Sequence, residues 1–73
     1  MKDNDSKAIL LELANRIKTL RNERNLTQAV CYEDTGINFG RIERGVRDIS
    51  FTTLVKICKY FNVSMNELLK DTF

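Results

Sequence analysis

No proline interrupts the chain anywhere in its 73 residues, and along it apolar side chains return every three or four positions. Ile9, Leu10, Leu13, Ala14, Ile17 and Leu20 share one stripe, while Glu12, Asn15, Arg16, Lys18 and Thr19 fill the other side. That spacing belongs to one face of an α-helix, and no segment shows a convincing strand pattern with a period of two. Without proline to break it, such a pattern runs until a cap stops it. The sequence therefore predicts an all-α fold.

The helices are punctuated by capping residues. Ser6 is the expected N-cap of the first, whose pattern fades between Asn22 and Asn25. Asn25 suits the left-handed conformation that closes a helix. Thr27 is the next N-cap, opening a short helix over 28–34. Thr35 is read as a third cap, before a helix over 36–44 that turns Phe39 and Ile42 inward and stops at Gly45. Gly36 and Gly40 weaken that helix by about 1 kcal/mol each relative to alanine. Ser50 caps a fourth helix with Leu54, Ile57, Cys58 and Phe61 on one stripe, Val55 beside it, and Lys56 and Lys59 outward. Asn62 ends it. Ser64, with Glu67 three residues on, forms a capping box for a last short helix carrying Met65, Leu68 and Leu69. Five helices with short connections predict a compact bundle of sequential neighbours. It is a single domain over 1–73, with a core at about 6–70 and short tails.

Composition removes whole classes of function. The chain has no histidine and only two cysteines, which do not form a C-x-x-C pair. A zinc site, a disulfide framework and the commonest general base are therefore missing, and no enzyme, metal, cofactor or small-molecule ligand is expected. Cys31 and Cys58 lie on apolar stripes and are expected as buried, reduced thiols. Tyr32 and Tyr60 read as amphipathic packing residues with the hydroxyl outward. No apolar run reaches the ~18 residues of a membrane span and no signal peptide is evident, so the expected location is cytoplasmic.

The net charge is only +2, but it is unevenly placed. Residues 16–24 carry a local +3 from Arg16, Lys18, Arg21 and Arg24 against Glu23, and residues 35–47 a local +2 from Arg41, Arg44 and Arg47 against Glu43. The first fifteen and last thirteen residues are each −1. Two basic segments form either a solvated face or, if folding unites them, one phosphate-facing surface.

From Leu13 to Leu69 the chain resembles the Cro/cI-type (XRE-like) helix-turn-helix transcriptional regulators. The likeness is carried by R-I-K-T-L-R-N-E-R-N-L-T-Q at 16–28, R-I-E-R-G at 41–45 and I-S-F-T-T-L-V-K-I-C-K-Y-F-N-V-S-M-N-E-L-L at 49–69. It implies the five-helix fold of phage-repressor DNA-binding domains, with a recognition helix in the major groove. Gln28, behind the Thr27 cap, then matches the glutamine that clamps a phosphate, and Thr35 to Arg44 matches the recognition helix. Gly36, Ile37, Asn38, Arg41 and Arg44 take the outward positions. Arg41 is expected to read a guanine, Ile37 a thymine methyl, and Arg44 and Arg47 phosphates. Arg21 and Glu43 match the family's internal ion pair.

Between Gln28 and R-I-E-R-G the sequence is three residues shorter than the family pattern, and Tyr32 replaces a small alanine. Two arrangements accommodate this. Either Thr35-Gly36-Ile37 forms the turn, leaving a recognition helix of only 38–44, or the second helix loses a turn and Thr35 caps a full recognition helix. The second is preferred because it gives Thr35 a cap to make. Leu68, Leu69 and Phe73 exceed what a core this small can cover, and are expected to form a homodimer contact. The resulting expectation is a sequence-specific regulator of double-stranded DNA, a repressor binding a near-palindromic operator as a homodimer. A protein-interaction module with weak or no DNA binding is the alternative. Phage repressor, antitoxin with a toxin as protein partner, and restriction controller all remain open.

Overall fold

The computed structural model describes residues 3–70. It contains five helices: α1 (Asp3–Glu23), α2 (Gln28–Thr35), α3 (Phe39–Glu43), α4 (Phe51–Phe61) and α5 (Met65–Leu69). Among the described residues there is no strand. Helix α1 starts at Asp3, so Ser6 lies within its first turns rather than capping it.

The other caps form at the level of single hydrogen bonds. Thr27 is extended and its side chain accepts the N–H of Val30 at 3.1 Å. Ser50 does the same for Thr53 at 3.2 Å, and Asn62 closes α4 in the left-handed region at φ 57°. Ser64 and Glu67 make the reciprocal capping box, with Ser64 N–H donating to Glu67 at 3.1 Å and Glu67 N–H to Ser64 at 3.0 Å. Asn25, at φ 55°, ends α1 as its sequence position requires.

The core gathers Leu13 and Ile17 of α1, Cys31 of α2, Phe39 of α3, Ile57, Cys58 and Phe61 of α4 and Leu68 of α5. The Phe39 and Phe61 rings meet edge-on with centroids 5.7 Å apart, an arrangement aromatic quadrupoles favour. Cys31 and Cys58 are both free and buried, and burial pushes both thiols above the ordinary cysteine pKa. Tyr60 packs its ring on the core and keeps its hydroxyl at the surface as expected, where it donates to Asp34 Oδ2 at 2.6 Å and ties α4 to α2.

Of the two arrangements, the helix-turn-helix adopts the one with a turn at this point and a short recognition helix, not the preferred one in which Thr35 caps a full recognition helix. Thr35 does not cap α3; it is the last residue of α2. Gly36 takes the left-handed conformation at φ 76° and its N–H closes α2 on the Tyr32 carbonyl at 2.7 Å. Only a residue without a Cβ reaches that conformation at no steric cost, so the glycine ends a helix rather than continuing one. Thr35 Oγ1 donates to the Cys31 carbonyl and accepts the Ile37 N–H, which pins the turn from both sides. Asn38 caps α3 by accepting the N–H of Arg41 at 3.0 Å. The turn is thus Gly36-Ile37-Asn38, and the missing three residues come out of the recognition helix.

The expected dimer contact also needs correcting. Leu68 is only 2% exposed and belongs to the core of its own chain. Leu69 is half-buried against that core. Phe73 lies outside the described residues. A fifth helix this short still covers α1 and α4 completely enough to use the side chain that the sequence left over.

Candidate nucleic-acid interface

Helix α3 is anchored by an ion pair that spans the domain. Arg21, near the end of α1, donates from Nε to Glu43 Oε2 at 2.7 Å and from its second terminal nitrogen to Oε1 at 2.8 Å. The remaining terminal nitrogen donates to the Leu26 carbonyl at 2.8 Å. Arg21 is 9% exposed, so its planar fork is satisfied almost out of water, the geometry in which arginine and carboxylate match best. Gln28 adds a third donor, with Nε2 3.0 Å from Glu43 Oε1. The hydrogen bonds that Arg21 donates to Glu43 raise the Arg21 pKa. Burial alone disfavours the Glu43 carboxylate, but the bonds from Arg21 and Gln28 and nearby positive charge outweigh it and hold its pKa below the usual value.

This network fixes which atoms the helix-turn-helix offers outward. Gln28 is exposed at the first position of α2, and with Nε2 held by Glu43 its Oε1 lies against Gly40, 3.2 Å from where a Cβ would stand. Asn38 borders two hollows. One lies between α2 and α3 and is shared with Gln28, Tyr32 and Gly40. The other lies between the turn, α3 and the start of α4, and is shared with Gly36, Arg41, Asp48, Ser50 and Lys56. Tyr32 is exposed and stands on the rim of the first, across from a glycine, which is how the helix pair accommodates a large residue in place of alanine. Arg41, Arg44 and Arg47 are all exposed, and Arg44 Nε approaches the Gly40 carbonyl at 3.4 Å.

Ile37 is not the exposed apolar probe expected from the sequence. It is half-buried and packs against the core from within the turn. Thr35 is half-buried with its hydroxyl fully engaged. Lys56, Ser50 and Thr53 of the second hollow were not singled out as site residues. Ser50 was legible as a cap, yet only the tertiary fold brings α4 beside Arg41.

The first basic segment does not join this surface as a block. Arg21 is buried in its pair, and Arg24 is folded back over the Phe61 ring, 5.3 Å from its centroid, donating to the Phe61 and Leu20 carbonyls. Arg16 lines a hollow between α1 and α5 together with Glu12, Glu23 and Glu67. The free cationic side chains of the helix-turn-helix come from α3 and the loop after it. Among the described residues no cluster of acidic and cysteine side chains could hold a metal ion, and no helix is long and apolar enough to cross a membrane.

The Cro/C1-type HTH DNA-binding domain family matches over residues 16–73, and the chain belongs to that family. By that family membership it is a DNA-binding transcription regulator, not an enzyme. Among characterised proteins the chain is similar to the control protein C.SmaI of Serratia marcescens, with 33% identity over 60 residues that span 78% of this chain and 71% of that one. No solved structure matches it.

Proposed function

We propose that the chain is a sequence-specific operator-binding repressor that occupies a near-palindromic site as a homodimer. The observation that carries this reading is the exposed row of Asn38, Arg41 and Arg44 on a short helix whose rear is bolted to α1 through Glu43. A helix held that rigidly presents its side chains with little ordering left to do on binding. Arg41 reads a guanine edge, while Gln28 and Thr27 at the start of α2, with Arg44 and Arg47, contact phosphates. Gly36 lets the turn pass close to the duplex, and Thr35 and Ile37 hold that turn from behind.

The homodimer rests on an argument of size. A five-residue helix reaches too few base pairs to single out a site, and pairing two copies doubles the reading at half-sites ~34 Å apart. Leu69 and Phe73 remain the proposed contact, without Leu68. The similarity to a control protein favours a regulatory role over that of an antitoxin partnered by a toxin.

Selection from random duplexes with purified protein tests the reading. Enrichment of two inverted half-sites supports it. With the selected duplex, Arg41→Ala relaxes preference at one base pair, at a cost of about 1–3 kcal/mol. Arg44→Ala weakens all duplexes alike. A chain that enriches nothing and binds no duplex at low salt is instead the protein-interaction module.

A further inference from the structure

Helix α3 is fixed to the body of the domain at its C-terminal end, where Glu43 meets Arg21. Its other end, which starts at Asn38 and leads into Arg41, follows the turn. The turn in turn follows the end of α2, because Thr35 donates to the Cys31 carbonyl and accepts the Ile37 N–H. Whatever holds the end of α2 therefore sets where the start of α3 points. The Tyr60 hydroxyl does so. It donates to Asp34 Oδ2 at 2.6 Å, with Asp34 in the last turn of α2 and Tyr60 in the last turn of α4. The Tyr60 ring reaches α3 as well, tilted against Phe39 with centroids 6.4 Å apart. Cys31, buried one turn before Asp34, interacts with the same hydroxyl. One side chain of α4 thus touches both helices of the motif.

Asp34 has no evident reason to be acidic apart from this contact. A carboxylate in the last turn of a helix meets the negative end of the helix dipole. It also adds a negative charge to a motif that has to approach phosphates. Among the described residues its hydrogen-bond partner is the Tyr60 hydroxyl. The carboxylate in return pushes the Tyr60 pKa above the ordinary phenol value, so the hydroxyl keeps its proton and remains the donor.

We infer that Tyr60 and Asp34 are positioning residues for DNA reading: their hydrogen bond sets the angle at which α3 meets the base edges, so base discrimination depends on it and attraction to the backbone does not. The inference rests on the DNA-binding reading and adds to it a pair that itself touches no nucleotide. A surface acid without that role would only repel the duplex. Its removal would strengthen binding to selected and random sequences alike and leave their ratio unchanged.

The test compares affinities for the duplex that the wild type selects and for a random duplex. It uses the wild type, Tyr60→Phe, Asp34→Ala and Asp34→Asn, each held well below its melting temperature. Tyr60→Phe keeps the ring and every charge, and Asp34 is exposed, so the variants should remain folded by circular dichroism. The ratio of selected to random affinity should fall roughly tenfold in Tyr60→Phe and in Asp34→Ala, the discrimination that one base contact carries. The salt slope on the random duplex should keep its wild-type value in Tyr60→Phe, since no cation has been lost. Asp34→Asn retains an oxygen to accept the hydroxyl and should keep the wild-type ratio. A role confined to folding shifts melting temperatures and leaves the ratio alone in Tyr60→Phe and Asp34→Ala, a result that overturns the inference. An Asp34→Asn chain as undiscriminating as Asp34→Ala overturns it too. A wild-type chain that enriches no duplex and binds none at low salt removes the DNA-binding reading itself.

Discussion

Glu43 carries three donors on two oxygens, two from Arg21 and one from Gln28. Replacing it by alanine leaves the Arg21 guanidinium buried without a counter-charge. That type of loss costs about 3–5 kcal/mol, enough to lower the melting temperature by many degrees in a domain this small. Thermal unfolding by circular dichroism measures it, and an unshifted melting curve would put the pair at the surface. The pH dependence follows from the sign of the shift. Because the folded carboxylate has a pKa below its unfolded value, its contribution is present at pH values above about 4.3 and is lost as pH falls through the folded value. Glu43→Gln should therefore flatten the acid limb of the stability curve below about pH 5. A mutant limb as steep as the wild type's would assign acid sensitivity to other carboxylates.

Two glycines with the same sign of φ separate strain from crowding. Gly36 has open space around it, so Gly36→Ala adds only left-handed strain of about 1–2 kcal/mol. At Gly45 the same strain coincides with a clash, because a Cβ would lie 3.0 Å from Leu11 Cδ2 and 3.2 Å from Leu11 Cα. Gly45→Ala should be the more destabilising of the two in urea unfolding, and equal midpoints would refute the distinction.

At the scale of the element, caps decided where helices begin and end. Thr27, Ser50, Asn62 and the Ser64–Glu67 box were legible because each acts through neighbours three or four residues away, and local sequence contains the whole interaction. The start of α3 was misread for a related reason. Thr35 and Asn38 are both good N-cap residues, and the choice between them turns on whether Gly36 is inside a helix or closing one. A glycine two residues before another cap candidate favours closing, and that signal is present in the sequence. Replacing Asn38 by alanine removes the actual cap and should cost about 1 kcal/mol, whereas a Thr35→Val change, which keeps shape without capping, should leave the length of α3 unchanged. Backbone amide protection of Arg41 reports the difference.

For the whole molecule, what stayed hidden in the sequence was the partition of its charge. Arg21, Arg24 and Arg44 look alike in a list of basic residues. The fold buries the first in an ion pair, lays the second over Phe61 and leaves the third exposed. Leu68 likewise read as surplus and proved to be core, because the area covered by a five-residue α5 depends on the angle at which it meets α1. The family likeness supplied the Arg21–Glu43 pairing and the all-helical bundle. It did not supply Lys56 beside Arg41, which only the packed chain brings together.

If the exposed cations of α3 and the loop after it face a nucleic acid backbone, binding must release counterions. The salt dependence of binding to a duplex of random sequence measures that release most directly. Log affinity should fall linearly with log salt, with a slope near 0.9 per neutralised phosphate, and removing Arg44 or Arg47 should each reduce that slope by about one. An affinity indifferent to salt, or a slope that survives loss of both arginines, would contradict it.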